Sequence, residues 1–218
     1  TASELHERKR GLRMTPQIIT EELGIPETPE RVLIADDELL VAQGVMNVLE
    51  AIGYEVIGPC KNGKEAVQCC RDEAPDMALL DIQMPVMDGI QAAHIIFHEL
   101  EIPVVMLTAY SDDTYLRNST AAGVFGFLLK PASKEQLCAG LSIAWQRFLD
   151  HIEQRSQIVD LKQRLEDRKL IERAKWIIVK RRDVSEPDAM KLLQKQSRNS
   201  RKSIAAVARA VIDSDGLL

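Results

Sequence analysis

Short apolar runs alternate with amphipathic stretches between residues 31 and 130, and this alternation constrains the fold more than any other feature of the chain. Each apolar run is about five residues long and is bounded by turn residues, as is typical of buried strands. The stretches between them repeat apolar residues at three- and four-residue spacing, so each can form a helix that covers one face of a sheet. Strands that alternate with helices predict an α/β fold with a doubly wound, five-stranded parallel sheet. The predicted strands are Arg31–Ala35, Tyr54–Gly58, Met77–Asp81, Pro103–Leu107 and Phe125–Leu129.

Polar residues stand at the carboxyl ends of four of these strands. Asp36-Asp37 follow the first strand, Asp81 ends the third, Thr108 follows the fourth and Lys130 follows the fifth. Ligands of such sheets bind at this edge. Three carboxylates meeting there would repel one another unless a cation lay among them. Hard oxygen ligands suit Mg²⁺, and Lys130 with the Thr108 hydroxyl could hold the oxygens of a phosphoryl group.

Four motifs occur in the order VLIADDE, LLDIQMPVMDG, LTA and GFLLKP. Together they resemble the receiver domain of bacterial two-component response regulators, over about residues 31–145. The resemblance implies a flavodoxin-like sheet, a sensor histidine kinase as partner, Asp81 as the phosphoacceptor and a cis Lys130–Pro131 bond. It also implies a Mg²⁺ site and a set of phosphoryl-contact and switch residues. The Mg²⁺ site would comprise Asp36, Asp37, Asp81 and the Gln83 carbonyl, and the second set would comprise Thr108, Lys130 and the aromatic Phe127.

Two simpler interpretations stay open at these positions. An aspartate after a strand is often only a helix cap or a turn residue, although this explanation weakens when all five polar positions are taken together. Phe127 could be an ordinary core residue. The four cysteines lack a C-x-x-C pair or a histidine at metal-ligand spacing, so we expect ordinary thiols.

Charge is distributed unevenly along the chain. The net charge of −5 hides 12 Lys and Arg against 23 Asp and Glu up to residue 150, and 16 against 10 after it. Two functional units are therefore expected, the second with a polyanion such as nucleic acid as a candidate partner. No apolar run approaches the ~18–20 residues of a membrane span, and the start of the chain has no apolar signal core. We expect no membrane association and a cytoplasmic protein.

A long helix is predicted to leave the first unit. Ser133 and Gln136 form a capping-box pattern, and Leu137, Leu141, Ala144 and Phe148 follow at helical spacing. An apolar stripe then continues among charged residues, which suggests a short coiled coil and a homodimer formed on phosphorylation. The alternative is a solvated helix that packs on its own receiver. The stripe comprises Ile152, Ile158, Val159, Leu161 and Leu165.

The remainder of the chain predicts a small all-α unit of three helices. Ser185-Glu186-Pro187-Asp188 is typical of a helix start, and a last helix is expected to begin near Ser200 or Ser203. Before them, cations and a tryptophan share one helix face, which could stack an unpaired base and contact phosphates. A solvated basic face is the simpler alternative. The candidate RNA-binding residues are Lys169, Arg173, Lys175, Trp176, Lys180, Arg198, Arg201, Lys202 and Arg209.

Residues 161–212 are similar to the ANTAR domain, an RNA-binding module of transcription antitermination regulators. The similarity lies in Arg168, Ile171, Glu172, Ala174-Lys175, Ser185-Glu186, Ala189, Leu192-Leu193 and Val207-Ala208. It implies binding to paired RNA hairpins in nascent transcripts. Two positions depart from the family pattern, because Trp176 and Asp183-Val184 stand where the family usually has glycine.

The sequence therefore predicts a phosphorylation-controlled antiterminator rather than an enzyme. We divide it into an N-terminal extension (1–30), a receiver (31–145), a helical linker (146–160) and an RNA-binding unit (161–213). A C-terminal part that serves dimerisation or binds duplex DNA is the alternative, although no helix-turn-helix pattern is visible.

Overall fold

The computed structural model describes residues 25–109 and 123–215. Its contacts divide the chain into two compact units, with the division between Glu153 and Gln154. Most of the predicted N-terminal extension, residues 1–24, and the last residues, 216–218, lie outside the described residues. Each unit is described by itself below.

The first unit contains the predicted parallel sheet. Its five strands are hydrogen-bonded in the order β2-β1-β3-β4-β5, and all four pairings are parallel. This order brings the carboxyl ends of β1, β3, β4 and β5 to one edge, as the sequence analysis expects. The strands are β1 (Arg31–Ala35), β2 (Glu55–Cys60), β3 (Met77–Asp81), β4 (Val104–Thr108) and β5 (Val124–Leu129).

Strand β2 is longer than predicted. The sequence analysis ends it at Gly58, directly before Pro59, and proline is uncommon inside a strand. In the structure β2 continues through Pro59 to Cys60, whose carbonyl accepts a hydrogen bond from the Asp36 N–H at 2.9 Å. The Gly58–Pro59 bond is cis, as is the predicted Lys130–Pro131 bond.

Helices cover both faces of the sheet. One apolar core lies between the sheet and α1 (Leu39–Ala51) together with the first part of α4 (Lys134–Arg182). The other lies between the sheet and α2 (Gly63–Glu73) together with α3 (Gly89–Leu100). The core strands β3 and β4 are buried along their whole length, which explains why their sequences are continuous apolar runs rather than alternating ones.

Helix α4 begins as predicted and carries more of the first core than predicted. Its start is a capping box, in which the Ser133 N–H donates to the Gln136 side chain at 2.8 Å and the Gln136 N–H donates to the Ser133 hydroxyl at 3.3 Å. Ile152, which the sequence analysis assigns to the coiled-coil stripe, is 8% exposed and belongs to the core of the first unit. The remaining stripe residues, Ile158, Val159, Leu161 and Leu165, are each more than half exposed.

Residues just before β1 also belong to the first core, although the sequence analysis places them in the N-terminal extension. Ile25 packs against it, Pro29 is buried, and the Glu27 carbonyl accepts a hydrogen bond from the Trp145 indole at 2.9 Å. The indole N–H of a buried tryptophan needs such an acceptor.

The second unit is a three-helix arrangement with a small core. The end of α4 packs with α5 (Glu186–Ser200) and α6 (Ile204–Asp215) around the buried residues Ala174, Leu193, Val207 and Ala208. Helix α5 starts at the predicted cap, where the Ser185 hydroxyl accepts from the Asp188 N–H. Ser203 caps α6 by accepting from the Ala206 N–H at 3.2 Å. Among the described residues, no helix combines the length and the apolar character needed to span a membrane.

Candidate functional site

Three carboxylates meet at the carboxyl edge of the sheet. Asp36 and Asp37 follow β1 and Asp81 ends β3, and one oxygen from each lies within 4.8 Å of the others. Asp36 and Asp81 are buried, at 2% and 8% exposure, whereas Asp37 is exposed. Part of this charge is compensated by the backbone, because the Glu38 N–H donates to Asp36 Oδ1 at 3.0 Å and the Ile82 N–H donates to Asp81 Oδ1 at 2.9 Å.

The ammonium group of Lys130 joins two of these carboxylates. Its Nζ lies 2.7 Å from Asp36 Oδ2 and 3.3 Å from Asp81 Oδ1. The lysine is placed there by the end of β5, where the Lys130 N–H donates to the Thr108 carbonyl at 2.8 Å. The end of β5 thus brings a cation to carboxylates at the ends of β1 and β3, which are distant from it in sequence. The sequence analysis predicts this group of residues.

Burial and the neighbouring charges shift the pKa values of Asp81 and Lys130. Burial raises the pKa of Asp81, and the repulsion by Asp36 adds to the rise, while Lys130 and the Ile82 N–H oppose it. For Lys130, burial alone would lower the pKa, but the hydrogen bonds and charges of Asp36 and Asp81 outweigh burial and raise it. The lysine is therefore cationic at neutral pH. One ammonium faces three carboxylates, so the site carries excess negative charge that a divalent cation would neutralise.

The other predicted site residues lie around this cluster. Thr108 is 5% exposed at the end of β4, and Gln83 is exposed in the loop after β3. A cleft of about 480 Å³ is lined by Asp37, Gln83 and neighbouring residues, so solvent and a small ion can reach the cluster at Asp37. Phe127 is half-buried on β5 and packs against the core on the α2 and α3 side.

Two glycines that the sequence analysis did not single out hold the loop after β3 in place. A Cβ at Gly89 would lie 2.0 Å from the Asp81 carbonyl oxygen, and one at Gly63 would lie 2.6 Å from the Met87 carbonyl oxygen. At these distances the backbone would have to move. Both glycine N–H groups bond to the loop, to the Ile82 and Met87 carbonyls respectively. The Asp-Gly pair at the end of LLDIQMPVMDG thus allows the start of α3 to approach the Asp81 backbone.

The predicted RNA-binding residues of the second unit are mostly exposed. Trp176 is 57% exposed on α4, and Lys169, Arg173 and Lys180 are exposed on the same helix. Turning at about 100° per residue, these four side chains fall on one face of α4. Lys169 also pairs with Glu166 at 2.7 Å. The remaining exposed cations are Arg198, Arg201, Lys202 and Arg209.

Two of these cations lie in surroundings that the sequence analysis does not predict. Lys175 is 9% exposed and bonds to Glu172 at 3.0 Å and to Glu186 at 2.5 Å, and these hydrogen bonds raise its pKa. It links α4 to the start of α5 and is not a free phosphate contact. Lys202 is exposed but lies in the turn before α6 rather than on that helix with Arg209. Lys202 and Arg209 are seven residues apart, which would place them on one face of a helix, but this geometry does not apply because α6 begins only at Ile204.

The two departures from the ANTAR pattern are accommodated. The Trp176 side chain is mostly exposed to solvent and needs no space in the core, and helix α4 continues without interruption through this residue. Asp183 adopts a φ of 50°, the left-handed region in which aspartate is tolerated better than most residues. Aspartate thus provides at this turn a positive φ of the kind that glycine adopts readily.

Comparisons with known proteins agree with both units. The family profile of the response regulator receiver domain matches residues 32–142, and that of the ANTAR domain matches residues 159–212. The receiver domain of a modulated diguanylate cyclase from Desulfovibrio desulfuricans G20 is similar in structure, with a TM-score of 0.51 and 32% identity over 56% of this chain and 97% of that one.

Relatives with similar sequences extend over one or both units. The chain is 37% identical to the transcriptional regulatory protein YdfI of Bacillus subtilis over 108 residues, which are 49% of this chain and 51% of that protein. It is 36% identical to the transcriptional regulatory protein PdtaR of Mycobacterium tuberculosis over 188 residues, which are 86% of this chain and 92% of that protein. The acidic cluster, the two matched domains and this near full-length relative show that the chain belongs to the two-component response regulators with an N-terminal receiver domain and a C-terminal ANTAR domain.

Proposed function

We propose that the protein is a phosphorylation-controlled antiterminator that binds RNA hairpins in nascent transcripts. The observation that carries this proposal is the contact of Lys130 with Asp81 and Asp36 in a chain that also has an ANTAR domain. A buried carboxylate beside a fixed cation is suited to accept a phosphoryl group, and the second unit carries exposed cations for RNA.

Asp81 is the proposed phosphoacceptor, and its Oδ2 is the proposed nucleophile because Lys130 and the Ile82 N–H both engage Oδ1. A new P–O bond forms as the P–N bond to the histidine of a sensor kinase breaks, and the imidazole leaves with the electron pair. Lys130 neutralises phosphoryl oxygens during this step, so positioning and electrostatics provide most of the catalysis. Asp36, Asp37, Asp81 and Gln83 would hold Mg²⁺, which supplies further positive charge to those oxygens when bound.

The new phosphoryl charge is proposed to act through Thr108 and Phe127. The Thr108 side chain is buried next to the site and can donate a hydrogen bond to a phosphoryl oxygen. Thr108 on β4 pairs with Leu129 on β5, and the half-buried Phe127 lies two residues before Leu129 on the same strand. A shift of Thr108 would change the space around β5, so Phe127 is the proposed switch aromatic.

RNA contact is proposed for the exposed face of α4. Trp176 would stack on an unpaired base while Arg173 and Lys180 contact phosphates, and Arg198, Arg201, Lys202 and Arg209 would add further phosphate contacts. A homodimer is proposed to bring two such units to two stem-loops. Its support is the exposed apolar stripe of Ile158, Leu161 and Leu165, whose spacing of three and four residues is typical of a coiled-coil seam.

Binding of the full chain to a labelled two-hairpin RNA tests this function, measured with and without Mg²⁺ and beryllofluoride. Activated protein should bind RNA more tightly than unactivated protein and should form dimers, whereas Asp81→Asn should show neither change. RNA affinity should also fall steeply as salt rises. Stronger binding to a matched duplex DNA would contradict RNA recognition, and equal binding in both states would contradict phosphorylation control.

A further inference from the structure

The second unit contains a crevice among its three helices, in addition to the exposed face of α4. It encloses about 700 Å³ and lies between the last turns of α4, the second half of α5 and most of α6. That volume is within the range of about 300–1,000 Å³ found for small-molecule sites. A single nucleobase fits within it.

The crevice exists because the core of this unit is small. Of the described residues in the core, only Ala174, Leu193, Val207 and Ala208 are buried, whereas Ile178 and Val211 remain partly exposed and line the opening. Its floor is therefore apolar. A concave surface lined by apolar side chains with a few polar groups is typical of sites for small ligands.

The rim of the crevice is basic and rich in amides. Arg181, Arg182, Lys195 and Lys202 line it together with Gln196 and Asn199, and none of the described lining residues is acidic. Arg181 pairs with Asp215 at 2.6 Å. Within residues 25–109 and 123–215, no ion pair involves Arg182, Lys195 or Lys202. The charge available at the rim is therefore positive.

This combination matches an unpaired base and the phosphates beside it. The flat apolar floor suits the ring, side-chain amides can donate to and accept from a base edge, and the cations suit the flanking phosphates. A peptide partner would have to be acidic and apolar at once, whereas every RNA loop supplies both chemistries. The crevice also differs from the Trp176 face, because Ile178 lies two residues after Trp176 and thus about 200° around α4.

We infer that the crevice among α4, α5 and α6 receives one unpaired base of an RNA hairpin loop, with Gln196 and Asn199 reading its edge and Lys195 contacting an adjacent phosphate. This inference rests on the proposed function. It adds a base-specific subsite to an RNA contact that Trp176 and the exposed cations would otherwise make without sequence preference.

The test uses the full chain and a pool of RNA hairpins with a randomised loop. Wild-type protein activated with beryllofluoride should enrich particular loop bases. Ala210→Phe places a ring in the crevice from an exposed lining position and should weaken binding about tenfold or more. Asn199→Ala should reduce the preference for the enriched base with a smaller loss of affinity.

A matched pair of charge variants separates the crevice from general electrostatics. Lys195→Gln and Lys191→Gln each remove one cation from α5, but Lys191 pairs with Asp188 and does not line the crevice. Lys195→Gln should lower affinity several-fold more than Lys191→Gln. Circular dichroism and thermal unfolding establish that each variant is folded.

An abasic nucleotide at the enriched loop position completes the test. Wild-type protein should lose about tenfold in affinity for the abasic hairpin, whereas Ala210→Phe should bind both hairpins equally. If wild type binds hairpins but Ala210→Phe and Lys195→Gln retain wild-type affinity and base preference, the crevice is not the base site and the proposed function stands. If wild type binds no hairpin in the pool, the proposed function and the base site are both overturned.

Discussion

Replacement of Lys130 by methionine should destabilise the receiver in a way that depends on pH and on Mg²⁺. The ammonium group lies 2.7 Å from Asp36 and 3.3 Å from Asp81, and its side chain is only 10% exposed. Removing one partner of a buried ion pair costs about 3–5 kcal/mol. Because Asp37 is exposed and solvent reaches the edge of the cluster, we expect the lower end, about 3 kcal/mol near pH 8.

The sign of the pH dependence follows from Asp81. Burial already raises its pKa and Lys130 opposes that rise, so the variant should raise it further. A carboxyl group whose pKa is higher in the folded than in the unfolded state destabilises the fold above its unfolded pKa of about 3.9. That loss disappears as the pH falls through the folded pKa. The deficit of Lys130→Met should therefore be smaller near pH 5 than near pH 8, where the carboxylates are charged.

Urea unfolding of wild type and variant at both pH values, with and without Mg²⁺, measures these effects. The proposed Mg²⁺ site is formed only in the folded state, so Mg²⁺ should raise stability by about 2.7 kcal/mol at a concentration one hundred times its dissociation constant. Lys134→Met removes the same charge at an exposed position four residues later and provides the control. A loss for Lys130→Met that equals the Lys134→Met loss, or that is the same at both pH values, would refute the electrostatic account of the cluster.

Three further outcomes follow from the packing. Gly89→Ala places a Cβ 2.0 Å from a β3 carbonyl oxygen and should destabilise the receiver by more than about 2 kcal/mol in urea unfolding. The control is Gly44→Ala, whose Cβ has no atom within 4 Å and which should stabilise α1 by about 0.5–1 kcal/mol. Burial raises the pKa of Cys60 and Cys70 to about 12. Iodoacetamide near pH 8 should therefore modify the half-buried thiols of Cys69 and Cys138 first, and early adducts on Cys60 or Cys70 in mass spectrometry would contradict this. Ser185→Ala removes the cap of α5 and should lower the free energy of unfolding of the second unit by about 1 kcal/mol, with an unchanged thermal midpoint as the contrary result.

The receiver site could be predicted from sequence because parallel strands bring their carboxyl ends to one edge. Once β1, β3, β4 and β5 are placed, Asp36, Asp81, Thr108 and Lys130 have few other positions available. The helix caps at Ser133 and Ser185 were equally predictable, since each depends only on residues three positions apart. Local rules thus sufficed wherever partners were near in sequence or fixed by strand order.

Contacts that depend on three-dimensional packing could not be predicted in this way. Trp145 bonds to Glu27, which is 118 residues earlier, and no periodicity relates the two. Lys175 lies about 100° from Trp176 in a helical projection, and its ion-pair partner is decided by where Glu186 begins α5. The crevice in the second unit also could not be predicted from sequence patterns, because its volume depends on how closely three helices approach one another.

The two tryptophans of this chain have opposite environments and lie in different units. Trp145 is 4% exposed in the receiver core, and Trp176 is 57% exposed in the ANTAR unit. Their fluorescence should therefore separate into a component that iodide barely quenches and a component that iodide quenches readily. Each component reports on one unit of the unmodified protein, so the melting of the receiver and the occupancy of the proposed RNA-binding surface can be followed in a single cuvette without an attached dye.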